Sequence, residues 1–166
     1  MRGTTNIMKR ALILAAALGL AAAGCGKCVD ATPANLNLNM VRYDESGWPT
    51  QWEGQSTCPQ YTGCQPGYGV VEGCYFRSKP FPVTAGTTYR LEVTIVAPKD
   101  ATVRLEWLDA NGQQLSTSDT HFSTNTYDNA YASPAKAPAG AASARIYLEA
   151  TKGAACFGGV NVETCT

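Results

Sequence analysis

The sequence predicts an all-β chain that folds as a two-layer sandwich, and three alternating segments carry the prediction. Residues 81–95 turn at Gly86 and then place an apolar side chain at every second position from Tyr89 to Ile95. Residues 102–108 and 144–150 repeat this pattern. A period of two with one apolar set is typical of half-buried strands. An apolar sheet face has to be covered by another layer, which indicates a sandwich.

The remaining elements can be assigned in chain order. Residues 35–43 alternate and predict an outer strand, and residues 44–54 predict a loop. Residues 55–73 are rich in Gly, Pro and Gln, and such a long loop needs covalent or functional ordering. Short strands are expected at 70–71 and 74–76. Asn111-Gly112 predicts a hairpin turn into a strand at 113–118. We expect a polar loop at 120–133, a connector at 134–142 and a last strand at 156–162.

The first 24 residues have the pattern of an export signal. Arg2, Lys9 and Arg10 form a basic start, from either Met1 or Met8, and residues 11–23 are apolar and small. These 13 residues are too short for a helix that spans a bilayer of about 30 Å. The sequence predicts a signal peptide at 1–24.

The signal ends in Ala22-Ala23-Gly24-Cys25, which resembles the lipobox of bacterial lipoproteins. This resemblance implies a lipid on Cys25, a lipidated tether at 25–34 and a folded domain at 35–166. Gly26, rather than Asp, follows the cysteine, and in Gram-negative lipoproteins this implies sorting to the outer membrane. The alternative is an ordinary secretory signal that is cleaved nearby.

Cysteine count and charge agree with export. The chain has seven Cys, and acylation of Cys25 would leave six, an even number that suits three disulfides in an oxidising compartment. Zinc is the rival interpretation, but the chain has one His, His121, and no Cys-x-x-Cys pair after the tether. Without residues 1–24, Lys plus Arg falls from 13 to 10 against 13 acids, which gives about −3. We expect no metal, no cofactor and no nucleic-acid partner.

The order of these signals resembles the jelly-roll carbohydrate-binding modules of the family-4/9 type, over residues 35–163. The matching segments are Asp44-x-x-Gly47-Trp48-Pro49-x-x-Trp52, Pro82-Val83-x-x-Gly86-x-x-Tyr89, Val103-x-Leu105-x-Trp107-x-Asp109-x-x-Gly112, Ala137-Pro138-Ala139-Gly140-Ala141 and Phe157-x-x-Val160-x-Val162. The resemblance implies a two-sheet antiparallel jelly-roll (galactose-binding-like) sandwich, stapled by disulfides, whose first and last strands are neighbours. Family members carry calcium-binding carboxylates in the last strand. Gly158 and Gly159 stand there in this chain, so we expect the calcium site to be lost.

Neighbouring terminal strands favour Cys28–Cys165 as the first disulfide. Cys156 and Cys165 flank one predicted strand, where they would lie some 30 Å apart, far beyond the reach of a disulfide. Cys58–Cys64 would close a local loop, and Cys74–Cys156 would remain. Six cysteines allow fifteen connectivities.

Catalytic patterns are weak in this sequence. His121 lies near Ser118 and Asp119, but neighbours this close in sequence rarely form a triad, and an exposed loop histidine is the simpler interpretation. Glu92, Glu106 and Glu149 alternate with apolar residues on strands that also carry arginines. They predict cross-strand ion pairs on an outward face rather than the paired acids of a glycosidase. We expect no enzyme.

Aromatic side chains carry the functional hypothesis, because sugar rings stack on Trp and Tyr while their hydroxyls bond to polar groups. The candidate ligand-binding residues are Trp48, Trp52, Tyr127, Tyr131, Arg145 and Tyr147. Trp48 and Trp52 could equally be core residues that fill the end of the sandwich. Trp107 falls at an inward-facing position of its predicted strand and is expected in the core. We expect a surface lipoprotein that binds a poly- or oligosaccharide without catalysis. The alternative is a structural or adhesion lipoprotein that uses the same sandwich for protein contacts.

Overall fold

The computed structural model describes residues 26–33, 36, 51–54, 60–61, 64 and 68–166. Residues 1–24, where a signal peptide is expected, lie outside these residues. So do Cys25, Trp48, Cys58, most of the strand expected at 35–43 and the side chain of Tyr127. The described chain is all-β. Its strands are β1 (Cys28–Asp30), β2 (Trp52–Gly54), β3 (Gln60–Tyr61), β4 (Tyr68–Val70), β5 (Tyr75–Ser78), β6 (Phe81–Pro82), β7 (Thr88–Leu108), β8 (Gln114–Tyr131), β9 (Ala135–Lys136), β10 (Ser143–Lys152) and β11 (Ala155–Cys165).

All strands pair antiparallel in one continuous sheet that folds into two layers at the middle of β7 and β8. The front sheet has the order β2, β5, β10, residues 101–108 of β7 and residues 114–122 of β8, with β6 extending β5 along β10. The back sheet has the order β3, β4, β11, residues 88–97 of β7 and residues 124–131 of β8. In the back sheet β1 also pairs with β11 and β9 with β7. This arrangement is the predicted jelly-roll sandwich.

The core lies between the two sheets and consists of the alternating apolar side chains that were predicted to face inward. Tyr89, Leu91, Val93 and Ile95 are buried from the back sheet, and Trp107 is buried from the front sheet with 1% exposure. Rings meet across the layers. Phe76 and Phe157 pack edge to face at 5.6 Å between centroids, and Tyr89 and Trp107 lie 5.8 Å apart. Such aromatic pairs add to the hydrophobic stabilisation of the core.

The sequence misjudged β8 and part of the tether. The polar residues 120–133 were expected to form a loop, but β8 runs unbroken to Tyr131 as the edge strand of both sheets. An edge strand tolerates a polar composition, because one side of its backbone faces solvent. The tether expected at 25–34 contains β1, which is hydrogen-bonded to β11 from Cys28 onward. Asn111-Gly112 does form the β7–β8 turn, with Gly112 at φ 76°.

Two disulfides are fully described. Cys28–Cys165 joins β1 to β11, as expected from the neighbouring terminal strands. The second is Cys64–Cys156, so the expected pairs Cys58–Cys64 and Cys74–Cys156 are wrong. Residue 64 precedes β4, and β4 pairs with β11 at Cys156. The sheet therefore brings these two cysteines together. Cys74 is also disulfide-bonded.

Candidate ligand-binding faces

Five outward side chains form a row that crosses the whole front sheet. Register pairs Glu53 with Arg77, Arg77 with Tyr147, Tyr147 with Arg104 and Arg104 with Asp119, one from each of β2, β5, β10, β7 and β8. We call these five residues the front row. Strands lie about 4.8 Å apart, so the row is roughly 19 Å long. That length suits several successive sugar units.

Tyr147 is the centre of the front row and is enclosed on both sides. The ring of Tyr75 stacks on it at 4.7 Å and 27°, and the Arg104 guanidinium lies 4.6 Å from the ring centroid. Tyr75 and Arg104 contact it from opposite sides, since β5 and β7 flank β10. The hydroxyl donates to the Glu149 carboxylate at 3.1 Å. Burial and, after it, the nearby Glu149 carboxylate raise the pKa of Tyr147 well above its ordinary value.

Arginine–carboxylate pairs fix the ends of the front row. Arg104 donates from Nε to Asp119 Oδ1 at 2.8 Å and from Nη2 to Oδ2 at 3.0 Å, a bidentate geometry. This bonding to Asp119 raises the pKa of Arg104. Arg77 Nε donates to Glu53 at 3.0 Å. The row is thus held in one arrangement before any ligand arrives, which lowers the entropic cost of binding.

Arg145 lies beside the front row on the same face, paired across strands with Glu106. Glu106 is one of the three glutamates that were expected to form cross-strand ion pairs with arginine, and it does so here. Arg104 pairs with Asp119 instead, and Arg90 pairs with Glu163. The reason is register, because Asp119 and Glu163 are the residues directly opposite these arginines.

The back sheet has an outward cluster of its own, which we call the back cluster: Arg90, Glu92, Tyr131, Asn161 and Glu163. The Arg90 guanidinium lies 4.5 Å from the Tyr131 ring centroid, and the Tyr131 hydroxyl donates to Glu92 at 3.0 Å. That hydrogen bond raises the pKa of Tyr131. Asn161 donates to the other Glu92 oxygen at 3.0 Å. Tyr131 is 51% exposed and belongs to the edge strand β8, so its ring is open to solvent.

The structure separates the sequence-predicted ligand residues rather than gathering them. Tyr147 and Arg145 lie on the front face, and Tyr131 lies on the opposite, back face, in a strand instead of the expected loop. Trp52 belongs to the core. Its side chain is 3% exposed and packs on Phe76 at 5.1 Å between ring centroids, so it cannot reach a surface ligand.

Sequence reasoning missed Tyr75, Arg77, Glu53 and Asp119 as parts of the site. A short strand was expected at 74–76, and its alternation around the buried Phe76 would have placed Tyr75 and Arg77 outward. Glu53 and Asp119 carried no such signal. Which residues stand beside each other depends on register between strands that are distant in the sequence.

No catalytic constellation forms at the residues considered. Asp119 is engaged by Arg104, and Ser118 and His121 have opposite strand parity, so their side chains leave opposite faces of β8. His121 Nδ1 lies 3.5 Å from Asp100 Oδ1 and 3.3 Å from Thr102 Oγ1. Within the described residues, no group of three or more His, Cys, Asp or Glu side chains could hold a metal ion. The same residues include no helix long and apolar enough to cross a membrane.

A comparison with protein-family models finds no match, and a comparison with curated proteins finds none. Solved structures share the fold at low identity. Xylanase 10B of Clostridium thermocellum, solved as CBM22-1 and GH10 modules with xylohexaose, superposes with a TM-score of 0.56 and 12% identity over 77% of this chain. A CBM4 structure gives 0.51 and 12% over 75% of this chain and 93% of its own.

The enzymatically active domain of tailspike protein 4 from bacteriophage CBA120 gives a TM-score of 0.53 and 11% identity over 69% of this chain. The chain spans 19% of the tailspike structure and 27% of the xylanase structure. The likeness therefore covers only a part of each of these larger proteins. At such low identity the likeness establishes the fold: an all-β jelly-roll sandwich whose structural neighbours include carbohydrate-binding modules.

Proposed function

We propose that this chain is an exported, lipid-anchored protein whose sandwich binds a poly- or oligosaccharide without catalysing a reaction. The front row carries the proposal: a preorganised line of alternating charged and aromatic groups across five strands, with the Tyr75–Tyr147 stack at its centre. Its carboxylates and guanidinium groups suit sugar hydroxyls, while the two faces of the Tyr147 ring are occupied by Tyr75 and Arg104. The carbohydrate-binding modules among the structural neighbours support the same class of ligand.

The anchor and the location are proposed from the sequence. The basic start, the short apolar segment and the Ala-Ala-Gly-Cys ending favour acylation of Cys25 and an outer-membrane position. The disulfide Cys28–Cys165 supports an oxidising compartment. A noncatalytic role is favoured because the acids of the front face are engaged in pairs with arginine or tyrosine.

One observation fits the alternative function, a structural or adhesion protein that has the same sandwich and no sugar site. Every arginine of the front row and the back cluster already has a carboxylate partner within 4 Å. Such paired charges also occur on sandwiches whose surfaces bind nothing. Fold alone does not decide between the two functions.

A glycan array tests the proposal directly. We would screen the oxidised protein without its first 25 residues, with Tyr147→Phe and Tyr131→Ala run in parallel. We expect binding to a defined polysaccharide that Tyr131→Ala retains. Tyr147→Phe keeps the ring but loses the hydroxyl, and we expect it to weaken binding severalfold. A blank array from a folded protein would favour the protein-contact alternative.

A further inference from the structure

The start of β1, the last residues of the chain and several loops meet at one end of the sandwich. Cys28 is bonded to Cys165, which is in register with Thr88 at the start of β7. Tyr89 packs on Trp107 across the core, so the last residues of β7 and the turn at 109–113 lie at the same end. Gly86 donates its amide to the carbonyl of Ala137 at 2.9 Å, which brings the loops at 83–87 and 137–142 there. We call this the anchor end.

Two of the three large hydrophobic side chains that are exposed among the described residues lie near the anchor end. Val29 and Leu115 are 53% and 43% exposed, and both lie within two residues of it along their strands. Between the loops is a shallow depression of about 490 Å³, lined by small apolar residues and one cation: Ala85, Gly86, Lys136, Ala137, Pro138 and Ala139. Lys27 is exposed close by, and its carbonyl accepts the Thr166 amide at 3.5 Å.

The distance between the proposed lipid and the folded chain is short. Three Cα–Cα steps separate Cys25 from Cys28, and at full extension they reach roughly 10–11 Å. Cys28 cannot detach from the sandwich to lengthen this tether, because it is held by the β1–β11 pairing and by the disulfide. An acylated Cys25 would therefore keep Cys28, and with it the anchor end, within about 10–11 Å of the lipid-bearing residue.

We propose that the anchor end rests on the membrane surface, with Lys27 and Lys136 at anionic headgroups and Val29 and Leu115 in the interface. This inference depends on the lipid anchor proposed above. Apolar contact and basic residues reinforce each other at such surfaces. The strands then stand away from the bilayer, and the front row faces sideways, open to a polymer that runs along the surface.

The opposite end of the sandwich supplies an internal control. There β7 bends at Pro98 and Lys99, which are exposed, and Lys152 follows at the end of β10 in register with Asp100. These lysines are separated from the anchor end by the length of the strands. In the proposed orientation they point into solvent, while Lys136 faces the bilayer.

The test is lysine acylation by a water-soluble reagent on the full lipidated protein, in vesicles of phosphatidylethanolamine with a minority of phosphatidylglycerol. The reference is a variant with Leu115→Asp and about 20 Gly and Ser residues inserted after Cys25, a tether with a span of roughly 25 Å. We expect Lys136 to react at least about fivefold more slowly in the natural protein, with Lys99 and Lys152 unchanged.

Two outcomes overturn the proposal and are told apart by flotation. If both proteins float with the vesicles and Lys136 reacts equally in both, the anchor end does not touch the bilayer and only this inference fails. If the natural protein does not float and its mass shows no acyl chain on Cys25, the lipid anchor itself is wrong. The proposed contact with the membrane would then be wrong as well, while the proposal of glycan binding would be unaffected.

Discussion

Tyr147 on the front face and Tyr131 on the back face are built alike but enclosed differently. Each ring has a guanidinium at about the same distance, 4.6 Å and 4.5 Å, and each hydroxyl donates to a glutamate, at 3.1 Å and 3.0 Å. Tyr147 stands on a central strand with Tyr75 stacked on its other side, whereas Tyr131 is on the edge strand and 51% exposed.

The comparison shows that the same pair contacts occur in two different settings. The same contacts fix a half-buried ring within a row of five strands in one case and an exposed ring at an edge in the other. We assign the ligand to the front face because only its row, among the described residues, continues in register through β2, β5, β10, β7 and β8. The back cluster is the matched control.

The largest effect is expected from the disulfide Cys28–Cys165, which belongs to the back sheet. Replacing both cysteines by Ala removes the covalent link that holds the three-residue strand β1 to β11. This link closes a loop between residues 137 positions apart in the sequence. We expect the free energy of unfolding to fall by about 2–4 kcal/mol in denaturant titrations. Ligand binding by the remaining folded protein should not change. Loss of binding in a folded variant would mean that the front face depends on the back sheet.

Truncating the two tyrosines should separate their roles in stability. Tyr147→Ala removes a half-buried ring from between Tyr75 and Arg104, and we expect a loss of about 2–3 kcal/mol. Tyr131→Ala removes an exposed ring and should cost no more than about 1 kcal/mol. Thermal unfolding of both variants measures the difference. Equal losses would show that the two rings are enclosed to the same degree.

Conservative substitutions of Arg104 on the front face and Arg90 on the back face compare the two faces in ligand binding. Arg104→Lys keeps the charge but loses the bidentate bond to Asp119 and the planar contact with Tyr147. We expect roughly a three- to tenfold weaker affinity for the glycan, about 0.7–1.4 kcal/mol. Arg90→Lys makes the same change on the back face and should leave affinity as it is. A calorimetric titration of each variant decides.

The smallest effect is expected at high pH. Tyr147 has a raised pKa in the folded chain, so the unfolded chain releases this proton first as pH rises past the ordinary value near 10. Stability that is present below pH 10 should therefore decline above it. Tyr147→Phe should decline less than the natural protein between about pH 10 and 11, in stability curves measured for both. Parallel curves would contradict the enclosed environment of Tyr147.

Much of the fold was predictable because alternation is a local signal. The parity of residues 81–95 and 102–108 correctly placed Tyr89 and Trp107 in the core, and Asn111-Gly112 located the turn. The edge strand β8 was missed, because the stability of an edge strand comes from its neighbour rather than from its own apolar residues. The pairing Cys64–Cys156 was missed since it depends on which strand lies beside β11.

The site was less predictable than the fold. The alternation of its own strand identified Tyr147 as outward-facing. Trp52 fell in a predicted loop, where the sequence could not distinguish a surface residue from a core residue. Asp119 became a neighbour of Arg104 only through the β7–β8 register. Tyr131 was expected in a loop and lies on the back face, because the second half of β8 pairs with the first half of β7.

The most direct test of the front-face assignment is a binding titration with the glycan selected on the array, for the natural protein, Tyr147→Ala and Tyr131→Ala at a temperature where all three are folded. The assignment predicts a loss of affinity of at least tenfold for Tyr147→Ala, about 1.4 kcal/mol, and less than a twofold change for Tyr131→Ala. The reverse pattern would move the site to the back cluster and contradict the front-face assignment.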